Sequence, residues 1–286
     1  MIWAVLALVI TFAYVPMYGV IIAFKDYKFT RGIIGSVWIG LENYQRLFAN
    51  PMVWRALGNT VKLSLLGTVI IFPAPIILAL MLNELKDGLF KRTVQTISYL
   101  PHFVAMMVVS SLVRTFVRGD GIINNLLLTF GLIERPMDFL AATGPFYPII
   151  MITDLWKGVG WGTIIYLAAI SAVDQEMIEA SIIDGAKRLG QIWYIILPTI
   201  GETIVILLIL RMSSILNSNF DLIYLLQNPL NMRVSDTLDT FVFRIGIIQG
   251  AYSFSTAVGL LKSVVGFALL VLCNAISRKL LDRGIM

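Results

Sequence analysis

The stretch AVDQEMIEASIIDGAKRLGQIWYIILPTIGETIVILLIL, residues 172–210, decides the fold. Its first half is short, polar and acidic, whereas its second half is an apolar run that begins near Pro198. An apolar run of about 20 residues can cross a bilayer as a helix. The stretch therefore predicts a polar helix at a membrane surface, followed closely by a membrane-spanning helix.

The apolar pattern recurs along the whole chain. Of its 286 residues, 58% are hydrophobic and only 14% are charged, whereas soluble domains have about a quarter of their residues charged. This composition excludes a soluble protein. We predict an all-α membrane protein, one domain over residues 1–286, with about six transmembrane helices at about 1–24, 63–83, 94–114, 146–172, 198–216 and 256–277.

The first span resembles the apolar region of a signal peptide. It is too long for one, lacks a basic leader and meets no small-residue cleavage site, so we expect a retained helix. Six spans place both termini on one side of the membrane. Basic residues are about twice as dense in the connections 84–94, 172–194 and 278–286 as in 25–58, 118–144 and 217–256, which predicts cytoplasmic termini.

Composition also excludes several kinds of site. The net charge is +5, but the basic residues lie mostly at span ends, where they meet lipid head groups, so we expect no nucleic-acid partner. Cys273 is the single cysteine and His102 the single histidine, which argues against an internal disulfide and a metal site. The chain has no Gly-x-x-x-x-Gly-Lys-Ser/Thr motif, so we expect neither ATP binding, nor a cofactor, nor an enzyme.

The polar half of the opening stretch predicts a surface helix over about 175–190. Asp174 is placed to cap it, its first segment is expected to end at Gly185, and a second segment leads to Pro198. Its polar face is acidic, which suits an anionic leaflet poorly. A protruding acidic helix with small residues favours docking to another protein.

Several segments carry a family resemblance. Glu179-Ala180-Ser181, then Gly185, Ile195 and Leu197-Pro198, resemble the EAA loop of binding-protein-dependent ABC importers, with Ser181 in place of the usual second alanine. Segments 16–27, 83–85, 95–102, 228–229 and 259–263 resemble the polysaccharide branch of the maltose-type permeases, and alginate importers are the nearest resemblance within it.

The resemblance implies a type I ABC importer permease fold in a bacterial inner membrane, with a cytoplasmic coupling helix between the fourth and fifth spans. It also implies a second permease, two ATP-binding cassette subunits that hold ATP and Mg, and an extracytoplasmic solute-binding protein. The residues it assigns to ATPase coupling are Glu179, Ala180, Ser181, Asp184 and Gly185.

Charged residues within spans are candidates for function because they are costly in lipid. Asp154 and Lys157 are three residues apart and are expected to pair. The substrate-path candidates are Arg211, Ser214, Asn217, Asn219, Lys262, Lys157 and Trp156. Cationic and amide donors at these positions suit a hydroxyl-rich, acidic ligand, so we hypothesise a path for an anionic oligosaccharide such as alginate.

Other functions compete with this interpretation. An importer for a neutral oligosaccharide or another solute needs the same architecture. A secondary transporter needs inverted halves or a discontinuous helix around a midplane ion site, and no internal symmetry is visible. An intramembrane serine protease needs a serine and a histidine facing each other at membrane depth, and a scaffold subunit leaves the charges within spans unexplained.

Overall fold

A computed structural model describes residues 2–281, and helices dominate it. Helices of eight or more residues are α1 (Ile2–Phe24), α2 (Glu42–Ala49), α3 (Pro51–Asn83), α4 (Leu89–Phe103), α5 (Met106–Val117), α6 (Ile122–Thr129), α7 (Phe146–Ser171), α8 (Gln175–Ile183), α9 (Arg188–Ser213) and α10 (Tyr252–Leu281). Shorter helices span Phe29–Arg31, Gly32–Gly35, Phe220–Leu226, Met232–Ser235, Leu238–Phe243 and Arg244–Ile248. Two short antiparallel strands, β1 (Lys25–Asp26) and β2 (Val37–Trp38), pair Lys25 with Trp38.

The predicted spans fall mainly on helices, although residues 104–105 and 214–216 are not helical, and Met1 of the first span lies outside the described residues. Four helices, α1, α3, α9 and α10, are long and apolar enough to cross a membrane. A fifth crossing results if α4 and the chain from Met106 to Thr129, which meet at 99°, are taken as one bent span. Helix α7 has 26 residues, or about 39 Å at 1.5 Å per residue, but Asp154 and Lys157 interrupt its apolar run.

Several helices start or end at other residues than the spans predicted from the sequence. The second span, predicted at 63–83, belongs to a helix that starts at Pro51, because Asn50 caps it by accepting a hydrogen bond from the Met52 amide at 2.9 Å. The third, predicted at 94–114, is broken between Phe103 and Met106. The fifth, predicted at 198–216, starts at Arg188 and ends at Ser213, and the sixth, predicted at 256–277, starts at Tyr252.

Prolines inside two of the long helices explain local changes of helix type. A π-helical turn, Gly67–Ile71, precedes Pro73, and another, Ile192–Ile196, precedes Pro198. Proline has no amide hydrogen and its ring clashes with the carbonyl four residues earlier. The wider π turn accommodates the ring without ending the helix, so α9 runs through Pro198 instead of starting there.

Helix α7 is the central element of the packing. Tyr166 and Ile170 of α7 pack with Ala79 of α3 and Ile200 of α9 in one buried cluster. Glycines bring the backbones close: a Cβ at position 162 would lie 2.9 Å from Pro75 of α3. Because lipid tails are as apolar as leucine, close packing of small residues is a main source of helix association in membranes.

A buried polar cluster ties α3 to the chain between residues 214 and 251. We call it the Asp236 cluster; its members are Asn59, Thr60, Asn231, Ser235, Asp236, Thr237, Thr240 and Arg244. Arg244 donates one hydrogen bond to each Asp236 carboxylate oxygen, both at 2.7 Å. Asn59 donates to the Asp236 carbonyl at 3.0 Å, and Thr60 accepts from the Leu238 amide at 2.9 Å. These bonds fix the loop that carries one wall of the candidate site.

Candidate functional site

The end of α9 and the turn after it form one wall of a cavity of about 280 Å³, the Arg211 cavity. The helix ends at Ser213, and the Ser214 hydroxyl donates to the Arg211 carbonyl at 3.0 Å. Four of the predicted path residues line this cavity: Arg211, Ser214, Asn217 and Asn219. The structure therefore brings together residues that sequence alone placed only near one another along the chain.

The opposite wall carries Asp154 of α7. Asn219 donates a hydrogen bond from Nδ2 to Asp154 Oδ1 at 2.5 Å, and the charges of Asp154 and Arg211 attract each other within the same cavity. A glycine makes room for the arginine, because a Cβ at Gly67 would collide with the Arg211 guanidinium. Arg211 is thus a cation that faces one carboxylate and several uncharged hydrogen-bonding groups.

Lys262 lines a second cavity of about 410 Å³, the Lys262 cavity. Its ammonium forms an ion pair with Asp239, whose other carboxylate oxygen accepts hydrogen bonds from the amide and hydroxyl of Ser218, both at 2.9 Å. Asn217 lines both cavities. The two predicted cations therefore lie on either side of one asparagine, each next to a carboxylate.

Asp239 was missed as a site residue because its contact with Lys262 joins positions 23 residues apart. The local signal is the capping box at Thr237 and Thr240, which predicts a helix start with Asp239 in its first turn. Gly67 was missed as well, since nothing in the sequence indicates that a bulky side chain lies opposite it.

Two predicted path residues lie elsewhere. The expected pair between Asp154 and Lys157 was wrong: Lys157 Nζ instead donates to the carbonyls of Pro101, His102 and Val104 at 3.2, 2.7 and 2.6 Å. Trp156 faces another direction and lines an apolar cavity of about 500 Å³ between α5 and α7. Residues three apart along a helix share a face. In the folded protein, however, each of these two charged side chains forms hydrogen bonds with groups that are distant in sequence.

Helix α8 presents the predicted coupling residues. Asp174 caps it as predicted, accepting a hydrogen bond from the Glu176 amide at 2.9 Å. The helix ends at Ile183, not near residue 190, because Gly185 adopts a left-handed φ of +80° that L side chains rarely adopt. A new helix, α9, starts at Arg188 and continues into the membrane span. We call residues 174–191 the EAA segment.

The exposed face of the EAA segment is both acidic and apolar. Glu179, Ala180 and Asp184 are exposed, and Ile183 is 87% exposed. Ser181 is more enclosed: its hydroxyl donates to the Ile178 carbonyl at 2.7 Å and accepts from Gln191 Nε2 at 3.1 Å. The serine that replaces the usual alanine thus joins α8 to the first turn of α9 across the Gly185 turn.

No set of side chains suited to a metal is found within residues 2–281: three or more His, Cys, Asp or Glu residues do not meet at any point there. His102, the candidate considered from sequence, stacks on Trp161 with ring centroids 4.5 Å apart and planes 4° apart. Its ring is therefore used in packing between α4 and α7.

Comparison with known proteins gives a family match and relatives of high similarity. The family model described as "Binding-protein-dependent transport system inner membrane component" matches residues 71–285. Protein LplB of Bacillus subtilis (strain 168) is 47% identical over 275 residues, which cover 96% of this chain and 86% of that protein. The polygalacturonan/rhamnogalacturonan transport system permease protein YteP of the same strain is 45% identical, with 96% of this chain and 85% of YteP covered.

A solved structure is similar over the full length of this chain. It belongs to a bacterial alginate ABC transporter in complex with a periplasmic protein bound to an alginate pentasaccharide. The two chains are 35% identical and superpose with a TM-score of 0.91, covering 100% of this chain and 95% of the other.

Proposed function

The chain belongs to the family of binding-protein-dependent transport system inner membrane components, and from this premise we propose that it forms, with a second permease, a path for an acidic oligosaccharide or polysaccharide. It is an integral inner-membrane protein and a permease subunit of an ABC importer for oligosaccharides. The acidic character of the substrate is the finer proposal. Polygalacturonan and alginate, named for a relative and for a structural neighbour, are both polymers of uronic acids.

The observation that carries the proposal is the pair of cavities that meet at Asn217. They offer a guanidinium, an ammonium, amides and hydroxyls, the donors that a carboxylated and hydroxyl-rich sugar requires. Each cation has a carboxylate of the protein near it: Lys262 forms an ion pair with Asp239, and Asp154 lines the same cavity as Arg211. A uronate would compete with these carboxylates for the cations, so it would be bound weakly enough to pass on.

A neutral oligosaccharide is the second candidate substrate. The presence of a carboxylate next to each cation favours it. Because each path cation faces one carboxylate, the two cavities together carry no large net charge. Hydroxyl groups of a neutral sugar could accept from Asn217 or Asn219 and donate to Asp154 or Asp239. The two candidate substrates predict different effects on uptake when one of the cations is removed.

The test is uptake by the assembled importer in proteoliposomes, with oligogalacturonate as the acidic probe and maltotriose as the neutral one. We expect Lys262→Ala and Arg211→Ala each to lower oligogalacturonate uptake at least about tenfold, equivalent to about 1.4 kcal/mol. Arg118→Ala, which breaks the exposed pair with Asp120, is the matched control and should leave uptake unchanged.

Unchanged uptake in both variants, or preferential uptake of maltotriose, would contradict the acidic path. Arg211→Ala leaves the Asp154 carboxylate without its cation, which can destabilise the fold. The double variant Arg211→Met with Asp154→Asn removes both charges and keeps the volumes similar. It should lose oligogalacturonate uptake while the complex still assembles.

For the EAA segment we propose docking to an ATP-binding cassette subunit, with ATP and Mg bound there, and hence a cytoplasmic location for this segment and for both termini. The acidic and apolar exposed face of α8 supports this. In a Cys273→Ser background, Ala180→Cys should crosslink to the ATPase subunit. Glu134→Cys, in the loop between α6 and α7, should not. Crosslinking from the second position alone would reverse the orientation.

A further inference from the structure

The break between α4 and α5 lies beside α7. The chain turns by 99° between Phe103 and Met106, and we call residues 101–106 the elbow. A helix that ends leaves its last carbonyls without intrahelical partners. Within a membrane, such groups must be satisfied by the protein, because lipid offers no donors.

Lys157 of α7 supplies those donors. Its ammonium has three N–H groups, and it donates to three elbow carbonyls, those of Pro101, His102 and Val104, at 3.2, 2.7 and 2.6 Å. The carbonyl end of a helix carries partial negative charge, which favours a cation there. A partly buried lysine that is expensive in lipid is thereby matched to the carbonyls of His102 and Val104, while the Pro101 carbonyl also accepts from the Val104 amide at 3.2 Å.

Two further contacts lie on the same face of α7. At Gly160, three residues after Lys157, a Cβ would collide with the carbonyl of Ser98, so α4 and α7 approach at backbone distance. At Trp161, four residues after Lys157, the indole stacks on His102, and Phe103 meets it edge-on at 5.7 Å and 87°. Positions i, i+3 and i+4 form one helical face, and along this face α7 contacts α4 and the elbow.

We propose that Lys157 is a positioning residue that locks the elbow to α7, so that α4 and α7 move as one body during the transport cycle. Its part in transport rests on the function proposed above. One turn earlier, Asp154 of α7 holds Asn219 in the Arg211 cavity. Helix α7, which contacts the elbow, therefore also forms a wall of the path. A movement of α4 would move that wall with it.

The first measurement is the distance between spin labels on either side of the elbow. Ile97 of α4 and Met107 of α5 are 66% and 71% exposed and are suitable for Cys substitution in a Cys273→Ser background. In the assembled complex in nanodiscs we expect one narrow distance distribution. Lys157→Met, which keeps the length of the side chain and removes the donors, should broaden it to about double the width.

Two controls accompany this measurement. Lys157→Arg retains donors and should restore most of the narrow distribution. Ile152→Ala, on α7 but 68% exposed and away from the elbow, should leave it unchanged. If Lys157→Met does not assemble, Lys157→Gln, which keeps an amide donor, should give an intermediate width. A narrow distribution in Lys157→Met or Lys157→Gln equal to that of the parent would overturn the proposal.

The second measurement separates this proposal from the proposed function. The ratio of oligogalacturonate transported to ATP hydrolysed should fall severalfold in Lys157→Met, while ATP hydrolysis itself persists. An unchanged ratio would refute the role in transport. If the parent complex takes up no oligogalacturonate, the proposed substrate fails, whereas the label distances still decide whether Lys157 locks the elbow.

Discussion

The Asp236 cluster and the EAA segment are both polar, but they satisfy their polar groups in opposite ways. Asp236 is fully buried and receives both of its charged hydrogen bonds from Arg244 of the same chain. In the EAA segment, Glu179 and Asp184 are exposed, and a side-chain hydrogen bond from Gln191 to Ser181 joins α8 to α9. The polar groups of the first region have their partners within this chain, whereas the second region presents an exposed surface to which another protein could bind.

The two regions also pack against different parts of α3. Thr60, near the start of α3, accepts from Leu238 beside the Asp236 cluster. Ala79, near its other end, packs in the cluster that holds Ile196 at the base of α9. One helix thus extends from the Asp236 cluster at one end to the apolar cluster beside the EAA segment at the other. We expect substitutions in the first region to change folding stability and those in the second to change partner binding.

Asp236→Ala has the largest expected effect. Removal of the carboxylate leaves the Arg244 guanidinium without its bidentate partner, and breaking a buried pair costs about 3–5 kcal/mol. Thermal unfolding of the purified complex measures the loss. Asp120→Ala is the matched control, because its pair with Arg118 is exposed and pairs of this kind contribute about 0–1 kcal/mol. Equal losses in the two variants would remove the basis of the comparison.

Ser181→Ala has a smaller expected effect. The variant loses the hydrogen bond from Gln191, which is worth about 0.5–1.5 kcal/mol. We expect faster hydrogen exchange in α8 and little change in global unfolding. Ser171→Ala, whose hydroxyl donates only within its own helix, to Ala168, should leave exchange in α8 as it was. Slower exchange in Ser181→Ala would show that alanine suits this position better.

Ile183→Ser has the smallest expected effect on the free energy of unfolding, within about 0.5 kcal/mol, because the side chain is already 87% exposed. The same change should lower the amount of ATPase subunit that copurifies, since it removes an apolar side chain from the proposed docking face. Ile34→Ser, at an equally exposed isoleucine remote from α8, is the control. Retention of the ATPase in Ile183→Ser would place the docking surface elsewhere.

Much of the fold was predictable because the requirements of a membrane are local. A helix that crosses lipid must be apolar along its own length, so the composition of each stretch indicates its state. The prediction of an all-α permease fold is confirmed by the family and by the structural match. The cap at Asp174 and the turn at Gly185 were predictable for the same reason: caps and left-handed turns depend on one or two residue types.

The partners of the charged residues were not predictable. Lys157 and Asp154 are three residues apart and could pair, yet Lys157 donates to carbonyls more than 50 residues earlier and Asp154 accepts from Asn219, 65 residues later. The elbow was missed for a related reason. A carbonyl left free by a broken helix has no residue type of its own, so the residue that would satisfy it could not be inferred from sequence.

By itself, the sequence determined that the chain is a helical membrane protein with a protruding acidic segment, since hydropathy and capping act over a few consecutive residues. Only the tertiary structure decided that Arg211 lies opposite Asp154 and that Lys262 is paired with Asp239. It also decided that Lys157 donates hydrogen bonds to the carbonyls of the elbow. In a low-dielectric interior each charge is stabilised by whichever opposite charge or dipole the packing brings nearest, and distance along the chain does not reveal which one that is.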